Sequence, residues 1–201
     1  MFNNNNKMII RTTYEFNEWF SKRNFKELAY QNEKMNLVMQ SLNDNRDNKQ
    51  IATVFAACPS AGKTYMTIAM MDELLKDNPN FRILVLAHGT TVLRSQFHND
   101  IIKANPDFTY CEIKSKNELD GCDAQVVVTI PQSIKDIVDM PKFDMLVCDE
   151  AHQFYFKPMV QNIIKRAGIQ HKLALTGTPS KFILNEYPII PIPLNLIDDY
   201  G

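Results

Sequence analysis

Two short stretches of this sequence combine residue types and spacings suited to phosphate chemistry. Ala57, Cys58, Pro59, Ser60, Ala61, Gly62, Lys63 and Thr64 fit the pattern (A/G)xxxxGK(S/T) at the end of an apolar run. That chemistry needs a loop whose backbone N–H groups turn inward on phosphate oxygens, followed by a helix whose positive end faces the same anion. Gly62 lets the backbone approach closely, Lys63 brings a mobile cation to the β and γ phosphates, and Thr64 offers a hydroxyl to Mg2+. Ala57 and Ser60 stand where stricter loops carry glycine, and neither adds enough bulk to block the loop. The plainer alternative is a small-residue turn that packs a helix on a sheet. The second stretch, MLVCDEAHQF, puts Asp149 and Glu150 just past another apolar run. A carboxylate there can hold the metal, and a second can orient an attacking water. Asp149 is expected in the first role and Glu150 in the second, against the alternative of an acidic cap on the segment that follows.

Such groups work only if strands deliver them to one edge. Apolar blocks at 51–57, 81–87, 124–129, 144–149 and 172–176 are nearly continuous, as strands covered on both faces must be. FTYCEI (108–113) adds a candidate sixth. Between them, KTYMTIAMMDELLKDN, TTVLRSQFHNDIIKAN, PQSIKDIVD and PMVQNIIKRAG have helical spacing, the last ending at Gly168. Alternating strands and helices predict an α/β fold, a mostly parallel sheet flanked by helices, with ligands at the carboxyl ends of its strands. TYEFNEWFSKRNF and ELAYQNEKMNLVMQSL read as two helices ahead of the first core strand. Pro188, Pro191 and Pro193 exclude a helix near the other end and predict an extended arm or linker.

A chain of 201 residues suits one sizeable domain, and 45% apolar with 22% charged residues excludes dominant disorder. No apolar run reaches the roughly 20 residues of a membrane helix, so a cytoplasmic address without membrane contact is expected. A net charge of −1 excludes an overall basic field, so any nucleic-acid contact must be local. Cys58, Cys111, Cys122 and Cys148 contain no CxxC pair and are expected as buried free thiols rather than disulfides or zinc ligands.

ACPSAGKT, CDEAH and LTGTP resemble, in order and approximate spacing, motifs I, II and III of superfamily 2 helicases and translocases. Asp149, Glu150, Ala151 and His152 spell the DEAH form of motif II. LVLAHGTTVLRSQF is similar to motif Ia of the branch containing restriction-enzyme translocases and phage branch-migration helicases, with Gly89 where that branch often carries arginine. The resemblance covers roughly residues 25 to 180 and implies the first RecA-like domain of such an enzyme, binding ATP and Mg2+. It assigns the nucleotide to Gln31, Pro59, Ser60, Ala61, Gly62, Lys63, Thr64 and Tyr65, with Gln31 on the adenine base. It assigns coupling between nucleotide and nucleic acid to His152, Thr176 and Thr178. Taken alone, Gln31 reads as a surface helix residue, and the two threonines as a turn before Pro179.

The same resemblance puts a nucleic-acid track on the neighbouring loops. Thr90, Thr91 and Arg94 open one helix, and Thr129, Gln132 and Ser133 open another. Their N–H groups and hydroxyls suit successive phosphates without reading bases, and motif Ia favours DNA over RNA. For Arg94 a solvated helix face is the alternative. The expected division is a helical extension over 1–47, the ATP-binding domain over 48–182, and a linker over 183–201 leading to a second RecA-like domain, in cis or in trans. Without that second domain's arginine fingers the chain is expected to be a poor ATPase and no helicase; the competing class is a non-catalytic module that binds nucleic acid or a motor protein.

Overall fold

Each of the five nearly continuous apolar runs becomes a strand that buries both of its faces. The computed structural model describes residues 9–26, 29–46, 52–57, 61–89, 91–178 and 188–192. Its strands are β1 (Thr53–Ala57), β2 (Ile83–Leu86), β3 (Tyr110–Glu112), β4 (Val126–Thr129), β5 (Met145–Cys148), β6 (His171–Thr176) and β7 (Ile189–Ile192). All neighbours pair in parallel, in the order β3-β4-β2-β5-β6-β1-β7. Every strand therefore releases its chain at the same edge.

Strand alternation sorts side chains between two apolar layers. Phe55, Val85, Val128, Val147 and Leu175 face a layer shared with α1 (Asn17–Lys22), α2 (Ala29–Asp44), α3 (Lys63–Asp77) and α4 (Thr91–Ala104). Val54, Leu84, Val127, Leu146 and Ala174 face the opposite layer, shared with α5 (Lys116–Leu119), α6 (Pro131–Ile134) and α7 (Pro158–Ala167). This double coverage explains why the strands read as continuous apolar runs. Among the described residues, no helix is long and apolar enough to cross a membrane.

Three elements differ from expectation. The helix expected over 131–139 is one turn, α6; beyond it the Ile137 N–H bonds back to the Ile134 carbonyl, and Arg166 of α7 donates to the carbonyls of Lys135 and Ile137. The segment expected as an extended arm or linker is extended over Ile189–Ile192 but does not stand apart from the sheet: it supplies β7, which pairs with β1 so that Pro191 lies opposite Ala56. Proline is tolerated there because β7 is an edge strand. Over 9–15, ahead of α1, the chain runs without helix and its backbone is held by asparagines of α2. Asn43 brackets Ile10 (3.0 and 2.6 Å), Asn36 brackets Tyr14 (2.8 and 3.0 Å), and Asn32 accepts from the Phe16 N–H (2.9 Å).

One buried cation opposes this packing. Lys172 is 2% exposed in β6, and its ammonium donates to the Gln170 carbonyl at 2.9 Å. Burial pulls its pKa from 10.5 down to about 8. Between those values the native state holds fewer protons than the unfolded chain, so stability rises with pH across that window. Below it the full penalty applies. Lys172→Met is therefore expected to raise the unfolding free energy by about 2 kcal/mol at pH 7, with the gain vanishing above pH ~10. Urea titrations at both pH values measure this, and a pH-independent difference between the proteins would refute the burial argument.

Candidate functional site

The loop after β1 turns into α3 through Gly62, whose φ of 80° and ψ of 17° place it in the left-handed region. A Cβ at this position would lie 3.5 Å from Gln31 Nε2, an ordinary contact, so the backbone angle and not crowding requires glycine. Pro59 and Ser60 lie outside the described residues. Ala61 is buried, and its carbonyl accepts from the Tyr30 hydroxyl at 3.4 Å. Lys63 opens α3 and reaches back across the loop, its Nζ donating to the Ala57 carbonyl at 2.7 Å. Thr64 stands half-buried in the same first turn. The leading N–H groups of this helix have no partners within it, so its positive end suits an anion. Gln31, 5% exposed, is a buried residue beside this loop and not a surface one. The Tyr65 ring packs on Phe25 at 4.5 Å and its hydroxyl donates to Asp100 at 3.3 Å.

Register brings the acidic pair to the same edge. Cys148 of β5 lies beside Ala174 of β6, and Thr176 of β6 beside Ala56 of β1. Asp149 follows at once, its N–H donating to the Leu86 carbonyl at 2.9 Å. Burial, aided by the adjacent Glu150 charge, pushes the Asp149 carboxyl up to about 6, while Lys63 pulls it the other way. The Lys63 ammonium thus acts on Asp149 from across the strand ends. Glu150 has φ 52° and ψ 42°, a left-handed backbone that a residue with a side chain adopts only at a cost. That turn swings the chain so that His152 bridges the two threonines. Its Nδ1 is 2.9 Å from Thr176 Oγ1 and 3.4 Å from Glu150 Oε2, and its Nε2 is 3.3 Å from Thr178 Oγ1. The Thr178 N–H also donates to Thr176 Oγ1 at 3.1 Å.

Among the described residues, no group of three or more His, Cys, Asp or Glu side chains could enclose a metal ion. Thr64 and Asp149 do offer oxygen donors of the kind Mg2+ takes when phosphates and water complete its shell. Their donor chemistry suits that ion.

Comparison with known proteins places this edge in a family. Residues 24–181, well over half the chain, match the family described as type III restriction enzyme, res subunit. The chain belongs to that family. No curated protein matches the sequence. This res-subunit domain has the fold of the first RecA-like domain of superfamily 2 helicases. The UvsW helicase of bacteriophage T4 superposes with a TM-score of 0.62 at 19% identity, covering 91% of this chain and 69% of that one. A DEAD box protein of Methanococcus jannaschii gives 0.66 at 19%, covering 96% and 56%. The SWI2/SNF2 ATPase core of Sulfolobus solfataricus, described in complex with dsDNA, gives 0.57 at 17%, covering 80% and 33%. At these identities the fold is what is shared. The chain spans about a third of the SWI2/SNF2 core and little more than half of the DEAD box protein.

The nucleic-acid residues expected in the res-subunit domain divide sharply. Arg94 is 5% exposed and its Nε donates to Glu112 Oε1 at 2.6 Å, so it is an internal strut and not an open phosphate contact. Thr129 is buried, with its hydroxyl on the Ile113 carbonyl at 2.9 Å. Both depart from expectation for one reason: the short strand β3 and the residues after it take up polar groups that the sequence presents as available. Ser133 also donates its hydroxyl inward, to the Lys114 carbonyl at 3.0 Å. Gln132 is exposed and reaches Gly89, where a Cβ would lie 3.2 Å from its Nε2. Thr90 lies outside the described residues, and of Thr91 only the backbone, opening α4, is described. Glu112 is the residue the sequence reading missed. Its signal is slight, a single carboxylate at the end of a three-residue strand.

Proposed function

We propose that this chain is the ATP-binding first motor domain of a nucleic-acid-dependent ATPase, a helicase or translocase acting on DNA in preference to RNA. One observation carries the reading: Lys63, Asp149 and the His152–Thr176 contact, from three neighbouring strand ends, meet at a single edge of the sheet. In this reading the residues over 59–65 form the phosphate loop, with Lys63 on the β and γ phosphates and Gln31 beside the base. Thr64 and Asp149 would hold Mg2+, which supplies charge neutralisation on the phosphates when bound. Glu150 orients the attacking water. His152 changes partners with nucleotide state and passes that change through Thr176 and Thr178 toward the nucleic-acid groove.

The track runs over the starts of α4 and α6, carried by backbone N–H groups together with Thr90, Thr91 and Gln132, since Arg94 and Thr129 are engaged internally. The preference for DNA is supported by the motif Ia likeness, by the restriction-enzyme family and by the dsDNA complex of the SWI2/SNF2 core. A second RecA-like domain, in cis or in trans, supplies the arginine fingers, which raise turnover about 10³- to 10⁵-fold in related phosphoryl-transfer enzymes. The purified chain should bind ATP, with affinity rising on the order of tenfold, about 1.4 kcal/mol, when Mg2+ is added. Calorimetric titration with ATP, then with single-stranded DNA, duplex DNA and RNA, tests each part. Failure to bind any nucleotide would sink the motor reading, and tighter binding of RNA would reverse the substrate preference.

A further inference from the structure

We propose that Cys111 and Cys122 are a redox pair, which a small disulfide of the glutathione class closes into an intramolecular S–S bond. The two sulfurs lie 2.6 Å apart, so they need approach by only about 0.6 Å to reach covalent length. They come from independent elements, and each is held in place by backbone contacts. Cys111 is the central residue of β3, in register with Val127 of β4. Cys122 closes the turn after α5, its N–H donating to the Leu119 carbonyl at 3.2 Å. Its own carbonyl accepts from Arg82 Nη2 at 2.7 Å, and Arg82 is fixed in turn over the Phe143 ring at 4.8 Å. Both cysteines are half-buried, within reach of a small reagent, whereas Cys148 is fully buried in β5.

The chemistry balances with that reagent as oxidant. Burial and the Cys122 neighbour push the Cys111 thiol up to about 12, which disfavours Cys111 as the first nucleophile; the exchange starts from Cys122. Its sulfur attacks the small disulfide, forming a mixed disulfide, and the released thiolate takes the proton that Cys122 gave up. Cys111 then loses its proton as its sulfur attacks Cys122 Sγ, and the second small thiol leaves with that proton. Two protein thiols are oxidised and one small disulfide is reduced to two thiols. The second step is intramolecular, which offsets the poor ionisation of Cys111.

The bond would close the loop over 112–121, and that loop anchors the start of two helices. Glu112 accepts from Arg94 and Ser95 of α4, the Ile113 carbonyl from Thr129, and the Lys114 carbonyl from Ser133 of α6. Oxidation therefore stiffens the corner of the sheet edge farthest from β1.

Incubating the chain with oxidised glutathione, then digesting it without reductant for mass spectrometry, tests this. The expected result is a linked peptide pair carrying Cys111 and Cys122, with a melting temperature raised by on the order of 5 °C and restored by dithiothreitol. Cys111→Ser and Cys122→Ser should each abolish both changes. The wild-type peptide map decides the matter even if a serine variant fails to fold. Recovery of the two thiols free, as separate glutathione adducts, or linked to Cys58 or Cys148 overturns the proposal.

Discussion

Lys63→Ala is expected to weaken ATP binding by at least about 100-fold while shifting the melting temperature by less than about 2 °C. The two effects separate because the Lys63 side chain is half-exposed, so its loss opens no cavity in the core. Its Nζ bonds the Ala57 carbonyl at 2.7 Å, at the mouth of the loop and half-exposed to solvent. Alanine is a better helix former at the start of α3, and it removes a positive charge from the positive end of the helix dipole. Stability should therefore hardly move. Affinity should fall, because a lysine between two phosphates makes charge-assisted bonds of about 1.5–3 kcal/mol each. Losing about 3 kcal/mol is a factor of roughly 100 in dissociation constant. Calorimetric titration and differential scanning on the same preparation give both numbers. An ATP affinity unchanged in this variant would remove Lys63 from the phosphates.

The layer structure was legible from the sequence because burial on both faces leaves one mark, an unbroken apolar run, at five separate places. The shared edge followed from it, since parallel strands all discharge their loops on one side. Hence Ala57, Asp149 and Thr176, remote in sequence, occupy neighbouring strand ends. What escaped was whatever depends on a partner chosen in three dimensions. Arg94 and Thr129 look like open polar groups until β3 brings Glu112 and Ile113 against them. β7 escaped because Pro191 argues against an interior strand, and only its place at the edge removes that objection.

The asparagines of α2 are the subtler case. Asn32, Asn36 and Asn43 are spaced by four and seven residues, one face of a helix. Read as composition, they suggest a polar surface. In the fold they serve as a substitute strand, since a carboxamide carries a donor and an acceptor in the arrangement of a peptide group. Asn36 and Asn43 each meet both backbone groups of one residue, at Tyr14 and Ile10. A helix can satisfy an extended segment in this way only where its face is already positioned against that segment, which periodicity alone does not reveal.

The N-terminal helices are therefore expected to unfold with the sheet, and Asp72→Ala is the substitution that exposes the linkage. Asp72 lies in α3 with 0% exposure and collects three donors from outside its own helix. Trp19 Nε1 reaches Oδ2 at 2.7 Å, Arg23 Nη2 reaches the same oxygen at 3.0 Å, and the Asp107 N–H reaches Oδ1 at 2.8 Å. Burial, the largest influence, pushes the Asp72 pKa up in spite of these bonds. The carboxylate is thus no large net gain by its presence. Its removal is another matter, because it strands a buried indole N–H and takes the closest carboxylate from a partly buried guanidinium. Arg23 keeps the Ala104 carbonyl at 2.9 Å and its place over the Trp19 ring at 4.5 Å, which limits the loss. The expected cost is about 3 kcal/mol, a large fraction of the 5–15 kcal/mol typical of a domain. Trp19 is the single tryptophan, so its fluorescence reports α1 while circular dichroism reports the sheet and helices together. In urea, both signals should shift to a lower midpoint and still coincide, as one cooperative unit requires. A fluorescence transition that moves alone would show α1 to be a separate unit docked on α3, and unshifted transitions would show that Asp72 holds nothing in place.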